Sequence, residues 1–349
     1  RIRDLPRPGI AALLRSARVA PAAASLETVA FALAPRLNAV GRVGDGTPAA
    51  QLLLAETDEA ADTIAADVEA ANGVRRELTK AALEEARALA DVAAEEPAIV
   101  VGGPWPVGVI GLVAGRLAEE RNRPAIVVST AVTPWRVSAR SAAGFDLAGA
   151  FATCSDLFRR FGGHPQAAGA DLHAQDLESL RSRILALAEA AGPFDPRPEL
   201  RLDLVLGCLD LDYVLLRELA RLDPAGPGNP IPLIGVEGLV VTRVRPASGG
   251  HTQLTLKKGL EVLDGICFGR DDLVGQVREG DRIDVVARLS SRMFGGFESL
   301  QLEVRDLAPT GTLAEARRVF AAVAQATDAP SAAEETSRAD EPPALVGAV

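Results

Sequence analysis

The sequence predicts an α/β layered domain with long connecting helices, followed by a small antiparallel barrel or sandwich. Three observations carry this. Two apolar runs with β-branched residues, PAIVVGG at 97–103 and PAIVVS at 124–129, flank a segment of helical periodicity. An Ala/Leu/Glu-rich stretch precedes them. Beyond the proline-rich GPFDPRPE at 192–199 the apolar period falls to two.

Taken in order, residues 1–47 form a polar leading segment punctuated by Pro and Gly, containing FALAPRLNAVGRVGDG. Residues 48–94 place Leu78, Ala82, Ala86 and Leu89 at helical spacing, predicting long connecting helices with a bend near Asn72 and Gly73. Residues 95–193 hold the α/β domain. Val109, Ile110, Val113 and Leu117 share one helical face, and WRVSARS supplies a third strand. Leu147, Phe151, Cys154, Phe158 and Phe161 recur at intervals of four and three, predicting an amphipathic helix that Gly162 and Gly163 terminate, with His164 just past its end. AAGADLH reads as a strand, and Leu177, Leu180, Ile184 and Leu187 mark a closing helix. In residues 199–309, Leu200, Leu202, Leu204 and Leu206 alternate, as do Leu254 with Leu256 and Leu300 with Leu302 and Val304. Residues 310–349 comprise a helix and a tail rich in Pro, Glu and Ser from Ala329, predicted to be disordered.

Composition narrows the function. With 48% hydrophobic and 24% charged residues in 349, the chain has enough apolar surface for two cored domains. No apolar run approaches the roughly 20 residues of a membrane helix, and the chain reads as soluble and cytoplasmic, with no membrane partner. Cys154, Cys208 and Cys267 are far apart within apolar runs, which fits buried thiols and neither a disulfide framework nor a zinc site. The first residue is Arg1, and the chain reads as a piece of a longer one.

The candidate chemistry is anion binding. Ser138 and Arg140 stand two apart on a predicted strand and so share a face, where a guanidinium can fork two charge-assisted hydrogen bonds to a phosphate. Gly162 and Gly163 would let a ligand approach the backbone beside His164. Arg36, Asn38 and Arg42 lie in the glycine-broken PRLNAVGR, which on spacing alone reads equally well as a solvated loop. GGPWPVGVIG joins a strand to a helix start, a weak anion-binding signal without the lysine of a P-loop. His164, His173 and His251 have no partner at metal-ligand spacing.

The segments RLNAVGR, WPVGVIGLVAGRL, SARS, FGGHPQAAG and PAGPGNPIP together resemble, in order and approximate spacing, the RecJ family of single-stranded-DNA-specific exonucleases, members of the DHH phosphoesterase superfamily. The resemblance runs to about Pro309 and implies that the β-rich part is an OB-fold and GGHPQAAG the mark of a DHH-associated domain. It implies 5′-to-3′ hydrolysis of single-stranded DNA in repair and recombination, with a single-strand-binding protein and a helicase as partners. Two Mn2+ or Mg2+ ions would be held by a DHH domain, whose triplet is absent from this sequence. The chain would therefore be the substrate-binding portion, inactive alone. By matching motifs, Arg42 would reach toward the scissile phosphate, Ser138 and Arg140 would hold the 5′-terminal phosphate, and His164 would bind backbone phosphate. Two departures stand out: family members usually have Trp-His-Pro-Gly where this chain has Trp105, Pro106, Val107 and Gly108, and Val137 replaces the usual glycine before Ser138. Alternatives from other classes are a DHH-type phosphodiesterase of short oligonucleotides or cyclic dinucleotides, and a non-catalytic single-stranded nucleic-acid-binding protein.

The formal net charge is −10, and residues 236–309 carry 10 Lys and Arg against 11 Asp and Glu. Nucleic-acid binding by the barrel must then come from local clusters such as Arg243, Arg245, Lys257, Lys258, Arg288 and Arg292, and weak, salt-sensitive binding is expected. Phe268, Phe294 and Phe297 are the only aromatics there for base stacking.

Overall fold

The structure, a computed structural model, describes residues 6–141, 144–194, 200–226, 228–294 and 297–318. It divides into two compact units, Arg1–Glu199 and Leu200–Val349. The tail from Ala329 lies outside the described residues.

The first unit opens with helices α1 (Pro8–Ser16), α2 (Ala34–Val43), α3 (Thr47–Leu54) and α4 (Asp58–Val92). The leading segment is thus largely helical, and a π-helical turn over Thr28–Leu33 runs straight into α2, so PRLNAVGR is helix and not loop. Leu13, Leu14, Leu33, Leu52 and Val68 share one buried cluster, giving these helices a core of their own. Thr57 caps α4 by accepting from the Ala60 N–H at 3.2 Å, with Asp58 and Glu59 in the first turn where carboxylates favour the helix dipole. α4 runs unbroken through Asn72 and Gly73, where a bend is expected from the sequence. One interior glycine costs only about 0.5–1 kcal/mol. α4 recovers this by packing against α1, α2 and α5 along its length.

A five-stranded sheet follows: β1 (Ile99–Gly103), β2 (Ala125–Ser129), β3 (Trp135–Arg140), β4 (Phe158–His164) and β5 (Ala167–Leu172), ordered β1-β2-β3-β5-β4. Only β1 and β2 are parallel, joined by the crossover helix α5 (Val107–Arg121). α4 and α5 bury Ile99, Val101, Ala125 and Val127 on one face. On the other face, α6 (Leu147–Thr153) and α7 (Leu177–Ala191) bury Val137, Ala139, Ala168, Ala170 and Leu172. This is the predicted α/β layering.

The predicted helix leading to His164 is corrected. α6 stops at Thr153, and Phe158–His164 is strand β4, in a hairpin with β5. The cause is a β-bulge: Phe158 pairs with Leu172 but Arg160 pairs with Asp171, so Arg159 is an extra residue. The bulge converts a period of two into a spacing of three, placing Phe158 and Phe161 on the same side and imitating a helix. Gly163 is not a helix cap; a Cβ there would lie 2.4 Å from the Ala167 carbonyl oxygen across the hairpin.

The second unit contains β6 (Leu204–Leu206), α8 (Tyr213–Ala220), β7 (Ile234–Ala247), β8 (His251–Lys258), β9 (Glu261–Cys267), α9 (Leu273–Gln276), β10 (Arg282–Phe294) and β11 (Phe297–Pro309). The strand expected from Leu200 begins only at Leu204. Strands β7-β8-β9-β11-β10 close on themselves through β10 and β7, and β9 runs parallel to β11. This closed five-stranded barrel is an OB-fold. Its interior holds Val236, Leu239, Val241, Leu254, Leu256, Val285 and Leu302.

Candidate phosphate-binding site

Strand alternation and cross-strand register build the site. α5 packs over β2 and β3 while Arg160–His164 of β4 stay exposed, and three cross-strand rows run across that face of β3, β5 and β4. Arg140 pairs with Ala167, which pairs with His164; Ser138 pairs with Gly169, which pairs with Gly162; Arg136 pairs with Asp171, which pairs with Arg160. The middle row lacks bulk beyond Ser138, so backbone is exposed between two rows of cations. Arg42 and Gly41 from α2 and Gly108 and Gly111 from α5 close the rim of a cavity of about 570 Å3.

Glycines on α5 permit this closeness. A Cβ on Gly108 would lie 1.8 Å from the Arg42 carbonyl oxygen, and one on Gly111 would lie 3.1 Å from Ser138 Oγ and 3.4 Å from Arg140 Nη2. Arg42 Nη1 in turn donates to the Gly108 carbonyl at 3.0 Å. Arg140 donates to the carbonyl of Ala139 at 2.8 Å and approaches Ser138 Oγ at 3.5 Å.

The charges do not cancel. Four arginines line the cavity, Arg42, Arg136, Arg140 and Arg160, against one carboxylate, Asp171. Burial, with the nearby Arg42 adding repulsion, depresses the Arg140 guanidinium below its ordinary pKa. Arg75 on α4 is likewise depressed, by burial first and then by Arg76, Arg42 and Arg36, and its Nε is buried without a hydrogen-bond partner. A pocket of mutually repelling guanidiniums in a chain of net charge −10 is suited to a polyanion.

The expected residues divide between this cavity and its surroundings. Arg42, Ser138, Arg140 and Gly162 line it. His164 is exposed on β4, in the row of Arg140. Gly163 faces the opposite side of the hairpin, against Ala168. Arg36 bonds Glu69 at 2.5 Å and the Ala32 carbonyl at 2.8 Å, and Asn38 is exposed on α2; neither lines the cavity. Val137 is buried in the core on the opposite face of β3 and also borders the cavity. Pro106 is the N-cap of α5 and supplies no side-chain cap. Sequence reasoning missed Arg136, Arg160 and Asp171. Arg136 had a signal, since it continues the alternation of Ser138 and Arg140; Arg160 was hidden by the bulge.

On the barrel, Arg243, Arg245 and Lys257 are exposed on β7 and β8, with Arg245 bonded to Gln253 at 3.2 Å. Lys258 Nζ donates to the Glu237 carbonyl at 2.5 Å, Arg292 pairs with Asp264 at 2.6 Å, and Arg288 approaches Glu303 at 3.9 Å. Four of the six expected basic residues, Arg245, Lys258, Arg288 and Arg292, are therefore engaged within the barrel. Phe268 is half-exposed and meets His251 edge-on at 5.0 Å, while Phe297 is 81% exposed. The Phe294 side chain lies outside the described residues.

Among the described residues no group of three or more His, Cys, Asp or Glu could hold a metal ion. No helix among them is long and apolar enough to cross a membrane.

Comparison with known proteins assigns a DHHA1 domain to residues 95–190 and a RecJ OB domain to residues 202–306. The chain is 34% identical over 315 residues to the single-stranded-DNA-specific exonuclease RecJ of Bacillus subtilis, covering 88% of this chain and 40% of that protein. It is 32% identical over 280 residues to the RecJ of Thermus thermophilus, covering 80% of this chain and 40% of that protein. The crystal structure of the Thermus thermophilus RecJ in complex with Mn2+ superposes with a TM-score of 0.75 at 29% identity, over 89% of this chain and 45% of that one. Its Mg2+ complex gives 0.74 at the same identity. The chain thus spans about 40% of the length of these curated relatives.

Proposed function

Because the chain belongs to the RecJ family, we propose that it is the strand-gripping portion of a 5′-to-3′ single-stranded-DNA exonuclease. The observation that carries this reading is the uncompensated pair Arg42 and Arg140 beside Ser138, opening onto a glycine row. A terminal phosphate monoester fits there: it carries more charge than an internal phosphodiester and exposes three oxygens to donors. A protein that anchors the 5′ end presents the bond next to that end for hydrolysis, which sets the polarity. Arg42 would neutralise charge at the reacting phosphate, and His164 would contact the strand beside it.

The cavity's donors do not suit a divalent ion, because its one carboxylate, Asp171, is bonded to two guanidiniums. The two Mn2+ or Mg2+ ions of the family reaction would be held by a DHH domain working with this chain. By itself the chain is expected to release no nucleotides. The barrel would add its own contacts to single-stranded DNA, and a helicase and a single-strand-binding protein would supply the strand.

Fluorescence anisotropy with a 5′-phosphorylated oligonucleotide and its 5′-hydroxyl twin tests the anchor. The phosphorylated strand is expected to bind about tenfold tighter, and Arg140→Gln to abolish the difference. Equal affinities would contradict the reading. Metal-dependent nucleotide release that survives Arg140→Ala would contradict the division of labour.

A further inference from the structure

We propose that Arg136 and Arg160, oriented by Asp171, form a second phosphate subsite that acts together with Arg42 at the cavity rim to bind the next phosphodiester, the reacting one, of the strand whose 5′ end sits at Ser138 and Arg140. This rests on the terminal-phosphate reading above and extends it to the course of the strand through the cavity.

Strand register brings the three residues together. Asp171 on β5, which lies between β3 and β4, pairs with Arg136 of β3 on one side and Arg160 of β4 on the other. Its carboxylate is buried, with a side chain 6% exposed, and each oxygen takes one arginine: Oδ1 accepts from Arg136 Nη1, and Oδ2 from Arg160 Nε at 2.5 Å. A carboxylate that only balanced charge would need one partner. Here two guanidiniums share it, so the trio carries a net charge of +1 and both arginines are held in fixed directions.

Each guanidinium has five N–H donors and spends one on Asp171. Their side chains are 39% and 67% exposed, and both line the cavity that contains Ser138 and Arg140. The trio is therefore no sealed structural pair.

Spacing supplies the rest. Two residues of strand advance about 6.4–6.8 Å. The Arg136 row thus stands one such step beyond the Ser138 row and two beyond the Arg140 row, a progression comparable to that of successive phosphates along an extended strand. Between them Gly162 and Gly169 present backbone with no side chain, leaving room for the sugar. Arg160 faces the cavity by plain alternation with Gly162 and His164, and the bulge at Arg159 returns Phe158 to the core face beyond it.

The test compares binding of thymidine 5′-monophosphate, 5′-phosphorylated dithymidylate and 5′-hydroxyl dithymidylate to the full chain by calorimetry. The phosphorylated dinucleotide is expected to bind about tenfold tighter than the mononucleotide. Arg136→Gln and Arg160→Gln should each cut that gain to about twofold or less while preserving the preference for a 5′-phosphate over a 5′-hydroxyl end. Each single change leaves Asp171 paired with the other arginine, so both variants are expected to fold. Arg140→Gln should show the reverse pattern. Asp171→Asn should lose the gain although it adds positive charge. A full dinucleotide gain in both arginine variants would overturn the second subsite and leave the terminal-phosphate reading standing. Loss of the gain with no 5′-phosphate preference in the unaltered chain would sink the terminal-phosphate reading instead.

Discussion

Arg42 and Gly108 are locked to each other twice: the arginine Nη1 donates to the glycine carbonyl at 3.0 Å, and a Cβ on the glycine would lie 1.8 Å from the arginine carbonyl oxygen. α2 and α5 are therefore in backbone contact at the rim of the cavity. Gly108→Ala must push them apart. The expected cost is about 1–3 kcal/mol, the range for overpacking. Thermal denaturation should show it, and the 5′-phosphate preference should weaken as Arg42 moves.

Gly111→Ala is predicted to behave differently. Its Cβ would meet only side-chain atoms, Ser138 Oγ at 3.1 Å and Arg140 Nη2 at 3.4 Å, which can shift. Alanine also raises helix propensity by up to about 1 kcal/mol. Melting temperature should hold or rise while affinity for a 5′-phosphorylated strand falls. A parallel loss in both would show that Gly111 is a packing position alone.

Much of this was legible in the sequence. Strands β1, β2, β3 and β5 and helices α5 and α7 follow from apolar runs and helical spacing, and Ser138 and Arg140 were found from simple alternation. β4 was not legible, because its bulge gives Phe158 and Phe161 the spacing of a helix. For the same reason Arg160 could not be assigned a face, and Asp171 offered no sign of the two arginines that register brings to it. α2 is not legible as a helix because proline and two glycines interrupt the pattern of residues 34–44, so that PRLNAVGR reads equally well as a solvated loop. In the structure Pro35 lies just past the π-helical turn of Thr28–Leu33, which runs on into α2 and widens the helix where the proline ring must fit, and the contact at Gly108 explains the tight approach of its C-terminal end.

Gly163→Ala is expected to disrupt the β4–β5 hairpin. The new Cβ would fall 2.4 Å from the Ala167 carbonyl oxygen and 2.6 Å from the Ala168 Cα, both backbone atoms that cannot rotate away. Hydrogen exchange should show faster opening of β4 than in the unaltered chain, with a loss of about 1–3 kcal/mol. Unchanged protection would refute the close approach.

The barrel thiol Cys267 is buried, and burial pushes its pKa up to about 11. Since the ordinary value is about 8.5–9, the folded state holds the proton more tightly than the unfolded state. Its contribution to stability is complete below pH 8.5 and is lost as pH rises toward 11. Denaturant melts should therefore show a decline over that window that is reduced in Cys267→Ala.

Phe268 lies beside His251 at the edge of β8, half-exposed on an otherwise nearly neutral barrel. Phe268→Ala is predicted to weaken single-strand binding by about 1–3 kcal/mol, the range for one base stacked on an aromatic ring. Affinity should also fall as salt rises, through the basic residues of β7 and β8.

Strand polarity and both phosphate subsites depend on where the 5′ end of the strand sits. A crystal structure of the chain with a short oligonucleotide bearing a 5′-terminal phosphorothioate would locate that end by the anomalous signal of its sulfur. The peak is predicted beside Ser138 Oγ and the Arg140 guanidinium, with Arg42 facing it. A strand bound with its 5′ end elsewhere and this cavity open would contradict the terminal-phosphate site.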